Sequence, residues 1–187
     1  EFKALQAQIN PHFLYNAFQS IATLALKHKP VEVYSLLTSL SHIMRYSMNM
    51  KEDIVSLKQE VDHVKAFLSL QKQRFGSKFE YELNIEKEAE LMRIPKMILQ
   101  PLVENCFKHG FDQEAEKVRI LIEASTKNDN QVWIQVKDNG TGPSDEKLEK
   151  IRLELFYGIS KEEKQREEIG LRNIFDRLQI YYHNQAN

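Results

Sequence analysis

The sequence has a single cysteine, almost no net charge and no long apolar run, and each absence excludes a class of protein. Cys106 cannot form an internal disulfide, which points to a reducing compartment. A formal net charge of −1 gives no electrostatic basis for binding nucleic acid. No apolar stretch is long enough to span a bilayer, and no segment has the pattern of a signal peptide. No group of Cys and His has the spacing of a zinc site.

The remaining composition is that of a globular protein. A chain of 187 residues forms one domain or two small ones and is long enough to bury a real core. Its hydrophobic fraction of 42% is ordinary, and its charged fraction of 28% is slightly high.

Two helices are predicted at the N-terminus, because apolar residues recur there at helical spacing. Residues 1–28 form either one helix kinked at Pro11 or a shorter helix that begins at Pro11 with Asn10 as its cap. Residues 31–48 form the second helix, after a short turn. Two such helices cannot bury both apolar stripes alone, so we expect dimerisation into a four-helix bundle.

The rest of the chain predicts an α+β sandwich, with helices layered on an antiparallel-leaning mixed sheet. Ser56 caps a third helix, with Gln59 at the capping-box position, and this helix stops near Gly76. Beyond it, alternating apolar residues predict strands and helical spacing predicts two more helices. The strands are predicted at 79–85, 118–122 and 132–136, and the helices at 144–155 and from Gly170 onwards.

The stretch Leu99–Gly110 is an amphipathic helix in pattern, with an unusual polar side. Its polar arc contains Pro101, Asn105, Lys108 and His109, opposite the apolar residues Leu99, Val103, Cys106 and Phe107. An amide oxygen suits Mg²⁺ or its waters and a cation suits phosphates, so the arc fits a metal-bound polyphosphate. An ordinary polar helix face with Gly110 as C-cap fits equally well.

Two later segments favour the nucleotide. Asp138 lies at a strand end and is followed by Gly140 and Gly142. The glycines let the backbone approach a ligand, and the carboxylate can accept a hydrogen bond from an exocyclic amine, although Asp-Asn-Gly is also a plain turn sequence. Gly170 lies at a helix N-terminus, where free N–H groups favour phosphate; the alternative is a loop glycine.

In this order and spacing, the three segments resemble the N, G1 and G2 boxes of the GHKL family of ATP-binding domains, which includes gyrase, Hsp90, MutL and the histidine kinases. The segment Gln8–Asn16 resembles the phosphoacceptor motif of the LytS/YesM-type sensor histidine kinases, and Leu99–Gly110 resembles their form of the N box. Ser41–Tyr46 and Gln71–Gly76 also resemble that subfamily, so the resemblance covers nearly the whole chain.

The resemblance implies a role for each candidate residue. His12 would be phosphorylated, Asn105 would coordinate Mg²⁺, Asp138 would bind the adenine amine, and Glu104 is a candidate general base. Lys108 and His109 would lie near the phosphates. Further pocket residues would be Gly140, Gly142, Gly170, Leu171 and Asn173, with residues 157–168 as a lid over ATP.

The resemblance also implies an organisation. Residues 1–55 would be a helical dimerisation and histidine phosphoacceptor region, and residues 56–187 an ATP-binding GHKL-type α/β sandwich whose last strands are missing. ATP and Mg²⁺ would be the cofactors, and the partners would be a second copy and a response-regulator receiver domain, with no nucleic acid. Transmembrane segments upstream of Glu1 would make this the cytoplasmic portion of a bacterial cell-membrane protein.

Three functions are compatible with these residues. The first is a sensor histidine kinase that autophosphorylates His12 and passes the phosphoryl group to a response-regulator aspartate. Phe13 stands where many histidine kinases have an acidic base, and Glu168 where a further glycine is common. The others are a pseudokinase that acts as a dimeric signalling scaffold, and a GHKL ATPase that does not need His12. The combination of His12, Asn105 and Asp138 favours the kinase.

Overall fold

A computed structural model of the chain describes residues 11–49, 52–109, 117–128, 131–157 and 169–182. These residues form an α+β fold, as predicted. The helices are α1 (Pro11–Leu26), α2 (Pro30–Met48), α3 (Leu57–Phe75), α4 (Leu99–His109), α5 (Asp145–Tyr157) and α6 (Ile169–Tyr182). The strands are β1 (Ile54–Ser56), β2 (Phe79–Ile85), β3 (Arg93–Pro95), β4 (Val118–Asn128) and β5 (Gln131–Asp138).

Helices α1 and α2 form a hairpin that packs on α3. Helix α1 is described from Pro11 onwards, so both predicted alternatives, a kink at Pro11 and a cap at Asn10, depend on residues outside the described ranges. The hairpin buries Ala17, Leu36, Leu40 and Ile43. Phe18, which shares the predicted apolar stripe of α1, is 55% exposed, so the hairpin leaves apolar surface uncovered.

Helix α3 begins and ends as predicted. The hydroxyl of Ser56 accepts a hydrogen bond from the amide of Gln59 at 3.3 Å, and the Gln59 side-chain oxygen accepts one from the amide of Ser56 at 2.9 Å. The helix ends before Gly76, whose φ of +58° suits glycine because it has no Cβ.

The main sheet is mixed and has the order β2-β4-β5 within the described residues. Strand β2 runs parallel to β4, which places Tyr81 opposite Ile120, and β4 runs antiparallel to β5, which places Ile122 opposite Val136. Alternate residues of the strands face α3 and α4, where Phe79, Ile120 and Ile122 are almost fully buried. The connection from β2 to β4 contains α4, as a parallel crossover requires.

A second, two-stranded sheet was not predicted. Strands β1 and β3 have three residues each and pair antiparallel, with Val55 opposite Ile94. Three residues are too few to show a period of two, so the pattern carries no signal. The amide of Lys96 donates to the carbonyl of Asp53 at 2.8 Å, so this ladder joins the start of α3 to the segment that leads into α4.

Among the described residues, no helix combines the length and apolar character needed to cross a membrane. The predicted lid falls almost entirely outside the described residues: Tyr157 is the last described residue of α5, and residues 158–168 are not described. The predicted C-cap Gly110 also lies outside them.

Candidate nucleotide-binding site

Helix α4 forms one wall of the candidate site. Leu99, Val103 and Cys106 are buried on its inner side, as predicted, because the apolar residues repeat at helical spacing. Asn105 lies half-buried beside them, and Lys108 is exposed. His109 is the last described residue of the helix, and its side chain lies outside the described part of the chain.

Asp138 ends β5 and begins the loop that carries the glycines. Its carboxylate accepts a hydrogen bond from the amide of Gly140 at 2.8 Å, and the residue is exposed. The loop is tied to β4 through Asn139, whose side-chain oxygen accepts from the amide of Arg119 at 2.7 Å and whose amide group donates to the carbonyl of Lys117 at 2.9 Å. Gly142 has a φ of +69°, which requires glycine or a strained residue.

The thiol of Cys106 brings α4 and the end of β5 together. Burial and the adjacent Asp138 carboxylate raise the pKa of this thiol to about 12. The thiol donates its hydrogen bond to the carbonyl of Leu102, with sulfur and oxygen 3.4 Å apart. The sequence predicted a small core residue at Cys106 but gave no sign of its contact with Asp138, since the two lie in different elements.

Helix α6 meets the first turn of α4. A Cβ atom built on Gly170 would lie 3.9 Å from the Cβ of Pro101, so the N-terminus of α6 lies beside the polar arc of α4. Leu171 and Asn173 follow, both half-buried. The structure therefore brings the three predicted segments together, because the end of β5 and the first described residues of α6 both lie against α4.

Glu104 precedes Asn105 on α4. Part of its side chain is exposed, but the protein around the carboxyl group raises its pKa by desolvation. The amide of Gln100 donates a hydrogen bond to this carboxylate at 2.8 Å, which acts in the opposite direction. A carboxylate with a raised pKa is a better proton acceptor than an ordinary surface glutamate.

His12 lies on a different element, α1, and its side chain is outside the described part of the chain. Its neighbour Phe13 stacks on Phe67 of α3, with ring centroids 5.0 Å apart. Phe67 in turn meets Phe107 of α4 edge to face at 5.7 Å. Aromatic packing therefore connects the residue after His12 to the helix that carries Asn105.

A cavity of about 650 Å³ borders the site on the side of the sheet. Asp138 and Asn139 line one end of it, and charged side chains such as Lys72, Glu80 and Arg119 line the rest. Its walls come from the strands and the end of α3, not from α4 or α6. The cavity is therefore a neighbour of the candidate site rather than the site itself.

The donor chemistry fits a magnesium nucleotide. Asn105 offers an amide oxygen and Asp138 a carboxylate for an amine, and the sequence predicts the free N–H groups of a helix start at Gly170. Throughout the described ranges, no group of three or more His, Cys, Asp or Glu side chains could hold a metal ion. Mg²⁺ commonly takes only one or two protein ligands and completes its shell with phosphates and water.

Comparison with known families agrees with this geometry. Residues 1–79 match the family model described as histidine kinase, and residues 92–181 match the one described as histidine kinase-, DNA gyrase B- and HSP90-like ATPase. The second match contains the predicted N, G1 and G2 boxes, and the first contains His12.

Several curated proteins are similar to the chain. It is 40% identical to the sensor histidine kinase YesM of Bacillus subtilis over 97% of its own length and 29% of YesM. It is 39% identical to the sensor protein LytS of Bacillus cereus over 81% of the chain and 26% of LytS. It is 29% identical to the sensor protein kinase HptS of Staphylococcus aureus, over 100% of the chain and 34% of HptS. The chain thus spans about a third or less of these relatives. It belongs to the LytS/YesM-type sensor histidine kinases of the GHKL superfamily.

Proposed function

We propose that the protein transfers the γ-phosphoryl group of ATP to His12 and then passes it to an aspartate of a response-regulator receiver domain. The observation that carries the proposal is that Asp138 and Gly170 both lie against α4, the helix of Asn105, through Cys106 and Pro101. The N-terminal segment of the same chain matches the histidine kinases. The sensor kinases to which the chain is similar support the same activity.

The nucleoside end of ATP is assigned to β5 and its loop. The exposed carboxylate of Asp138 would accept a hydrogen bond from the adenine amino group. Gly140 and Gly142 would let the loop backbone approach the nucleotide closely. Gly170, Leu171 and Asn173 would present the N-terminus of α6 to the phosphates, where its N–H groups and helix dipole favour negative charge.

The phosphate end is assigned to α4. The amide oxygen of Asn105 would coordinate Mg²⁺, and Lys108 and His109 would lie near the phosphates. When bound, Mg²⁺ neutralises phosphate charge. These residues would align the γ-phosphoryl group, which is most of what phosphoryl transfer requires of a protein.

The phosphoryl group moves in two transfers, first to His12 and then to the receiver domain. A lone pair on a neutral imidazole nitrogen of His12 attacks the γ-phosphorus, and the bond from phosphorus to the β,γ-bridging oxygen breaks, so that ADP leaves with that oxygen. The proton on the other ring nitrogen goes to a base, for which Glu104 is the candidate. In the second transfer, an aspartate oxygen of the receiver domain attacks the phosphorus and the N–P bond breaks. The leaving imidazole takes up a proton from water, which restores neutral His12.

The proposed assembly is a homodimer formed through the hairpin. Large apolar side chains that α1 and α2 expose support it: Phe18 is 55% exposed, Leu26 82%, Val31 76% and Leu37 44%. A second hairpin would cover such a surface. Attachment to a membrane through segments upstream of Glu1, and hence a cytoplasmic location, stay predictions.

Transfer of label from γ-labelled ATP tests the proposal. Wild type with Mg²⁺ should take up label that is acid-labile and alkali-stable, as phosphohistidine is, and His12→Gln should take up none. His42→Gln, which changes an exposed histidine of the other hairpin helix, is the matched control and should be labelled like wild type. Label on His12→Gln would place the acceptor elsewhere. ATP binding without label on wild type would favour the scaffold, and hydrolysis without label would favour the ATPase.

A further inference from the structure

Glu60 is a carboxylate with no exposed surface, on the buried side of α3. Its oxygens accept hydrogen bonds from the amides of Met97 at 2.7 Å, Ile98 at 2.9 Å and Leu99 at 2.9 Å. Leu99 is the first residue of α4, so the carboxylate caps the N-terminus of the helix that carries Asn105. Met97 has a φ of +62°, a rare conformation that these hydrogen bonds help to hold.

Glu60 has a fourth donor, which comes from the hairpin. The hydroxyl of Tyr46, near the end of α2, donates to Glu60 Oε1 at 2.5 Å. The Tyr46 ring stacks on the His63 ring with centroids 4.4 Å apart, and the ammonium group of Lys96 lies over the Tyr46 ring, 4.6 Å from its centroid. The hydroxyl is therefore held in place by packing as well as by its hydrogen bond.

Lys96 makes the complementary contact. Its ammonium group donates to the carbonyls of Tyr46 at 2.5 Å and Asn49 at 2.6 Å, at the C-terminal end of α2, where a positive charge is favourable. Its own carbonyl accepts a hydrogen bond from the guanidinium group of Arg177 on α6 at 2.6 Å. One cluster, made of Tyr46, Glu60 and Lys96, thus joins the end of α2 to the start of α4 and to α6.

We propose that Tyr46 and Glu60 are positioning residues for phosphoryl transfer: the Tyr46 hydroxyl holds the Glu60 carboxylate under α4, and that carboxylate sets where α4 presents Asn105. The inference rests on the proposed function in one respect, which is that Asn105 acts on the phosphates. Helix α4 has 11 residues and is rigid over so short a length, so a shift of its capped first turn moves Asn105 with it. The cluster therefore ties the position of the metal-binding amide to the position of α2.

Tyr46→Phe is the sharpest variant, because it removes one hydroxyl and keeps the ring. We expect the rate of His12 labelling at saturating Mg·ATP to fall about tenfold, the size expected for losing a hydrogen bond to a charged group. Affinity for ATP without Mg²⁺ should stay within about twofold of wild type, because the Tyr46 hydroxyl donates to Glu60, which is not assigned to the nucleotide. The amides of residues 97–99 should exchange hydrogen faster, because their acceptor is less firmly held.

Two further variants make the experiment specific. Tyr182→Phe is the matched control: it removes a tyrosine hydroxyl that makes one exposed hydrogen bond, to the carbonyl of Arg93, and should behave like wild type. Glu60→Gln should accelerate exchange at residues 97–99 more than Tyr46→Phe does. Adding Tyr46→Phe to Glu60→Gln should slow labelling no further, because both changes act through one carboxylate.

Unchanged labelling and exchange in Tyr46→Phe would overturn the inference. A fall in labelling would also overturn it if ATP affinity fell by the same factor and the melting temperature dropped. The hydroxyl would then only support the fold. If neither wild type nor Tyr182→Phe takes up label, the proposed function fails, and hydrogen exchange alone tests the link between α2 and α4. Unchanged exchange at residues 97–99 in Tyr46→Phe rejects that link, and faster exchange supports it.

Discussion

The thiol of Cys106 and the carboxylate of Asp138 are neighbours, one on α4 and the other at the end of β5. This contact joins the two segments to which the proposed function assigns opposite ends of ATP. It also places the thiol in surroundings that oppose its ionisation, since burial and a neighbouring negative charge both raise its pKa, to about 12. The thiol is therefore a reporter of the site.

Cys106 should react slowly with maleimide at pH 8. The thiolate is the reactive form, and a pKa of about 12 makes it roughly a thousandfold scarcer than in an ordinary thiol. The double variant Cys106→Ala/Ser77→Cys moves the only cysteine to an exposed position and should react at the ordinary rate. Asp138→Asn removes the adjacent charge and should accelerate labelling of Cys106. Labelling of Cys106 as fast as that of the exposed cysteine would contradict this account.

Asp138→Asn should weaken ATP binding far more than it disturbs the fold. The side chain is exposed, and an asparagine oxygen can still accept the hydrogen bond from Gly140, so we expect a loss of stability below about 1 kcal/mol. Loss of the charged acceptor for the adenine amine should lower ATP affinity by about tenfold or more. Calorimetric titration and urea unfolding measure the two effects. Asp62→Asn, an exposed aspartate of α3, is the control; equal ATP affinity in Asp138→Asn would reject the adenine role.

Asn105→Ala should abolish labelling that depends on Mg²⁺. Its effect on nucleotide binding should be confined to solutions with the metal: affinity for ATP in EDTA should stay close to that of wild type, and the gain in affinity on adding Mg²⁺ should shrink. Asn84→Ala, which changes an exposed amide on β2, should leave both affinities as they are. Normal metal-dependent labelling of Asn105→Ala would refute its role as a ligand.

Local patterns predicted the elements that have enough residues to show a period or a cap. Helix α3 follows from Ser56 and Gln59, strand β2 from alternation, and the inner side of α4 from helical spacing. Strands β1 and β3 were not predicted, because three residues are too few to show a period. Glu60 left a readable sign, a charge within the apolar stripe of α3, but its partners lie more than ten residues away in sequence.

The candidate site was predictable only through the family resemblance. Residue patterns alone left Leu99–Gly110 open between a polyphosphate site and a plain polar face, and Asp138 open between a ligand and a turn. What joins these segments is the contact of Cys106 with Asp138 and that of Gly170 with Pro101, and such contacts depend on tertiary packing. Helical spacing predicted the polar arc of α4, but it could not predict that Asp138 and Gly170 lie next to this helix.

His63 should make stability depend on pH. The ring is 1% exposed, both of its nitrogens lack a hydrogen-bond partner among the described residues, and burial, with smaller contributions from His42 and Lys96, lowers its pKa from 6.5 to about 4. The unfolded chain therefore binds a proton that the folded protein does not between about pH 6.5 and pH 4. Stability from this group is complete above pH 6.5 and falls as the pH is lowered, by roughly 3 kcal/mol over the whole interval.

Urea unfolding of wild type and His63→Phe at pH 7, 6 and 5 isolates this contribution. Phenylalanine keeps a ring against Tyr46 but binds no proton, so the difference in unfolding free energy between the two proteins should shift in favour of His63→Phe as the pH falls. His28→Asn is the matched control, because it removes an exposed histidine with a φ of 53°, which asparagine tolerates, and it should keep the wild-type slope. Parallel pH profiles for wild type and His63→Phe would mean that His63 titrates in the folded protein as it does in the unfolded chain.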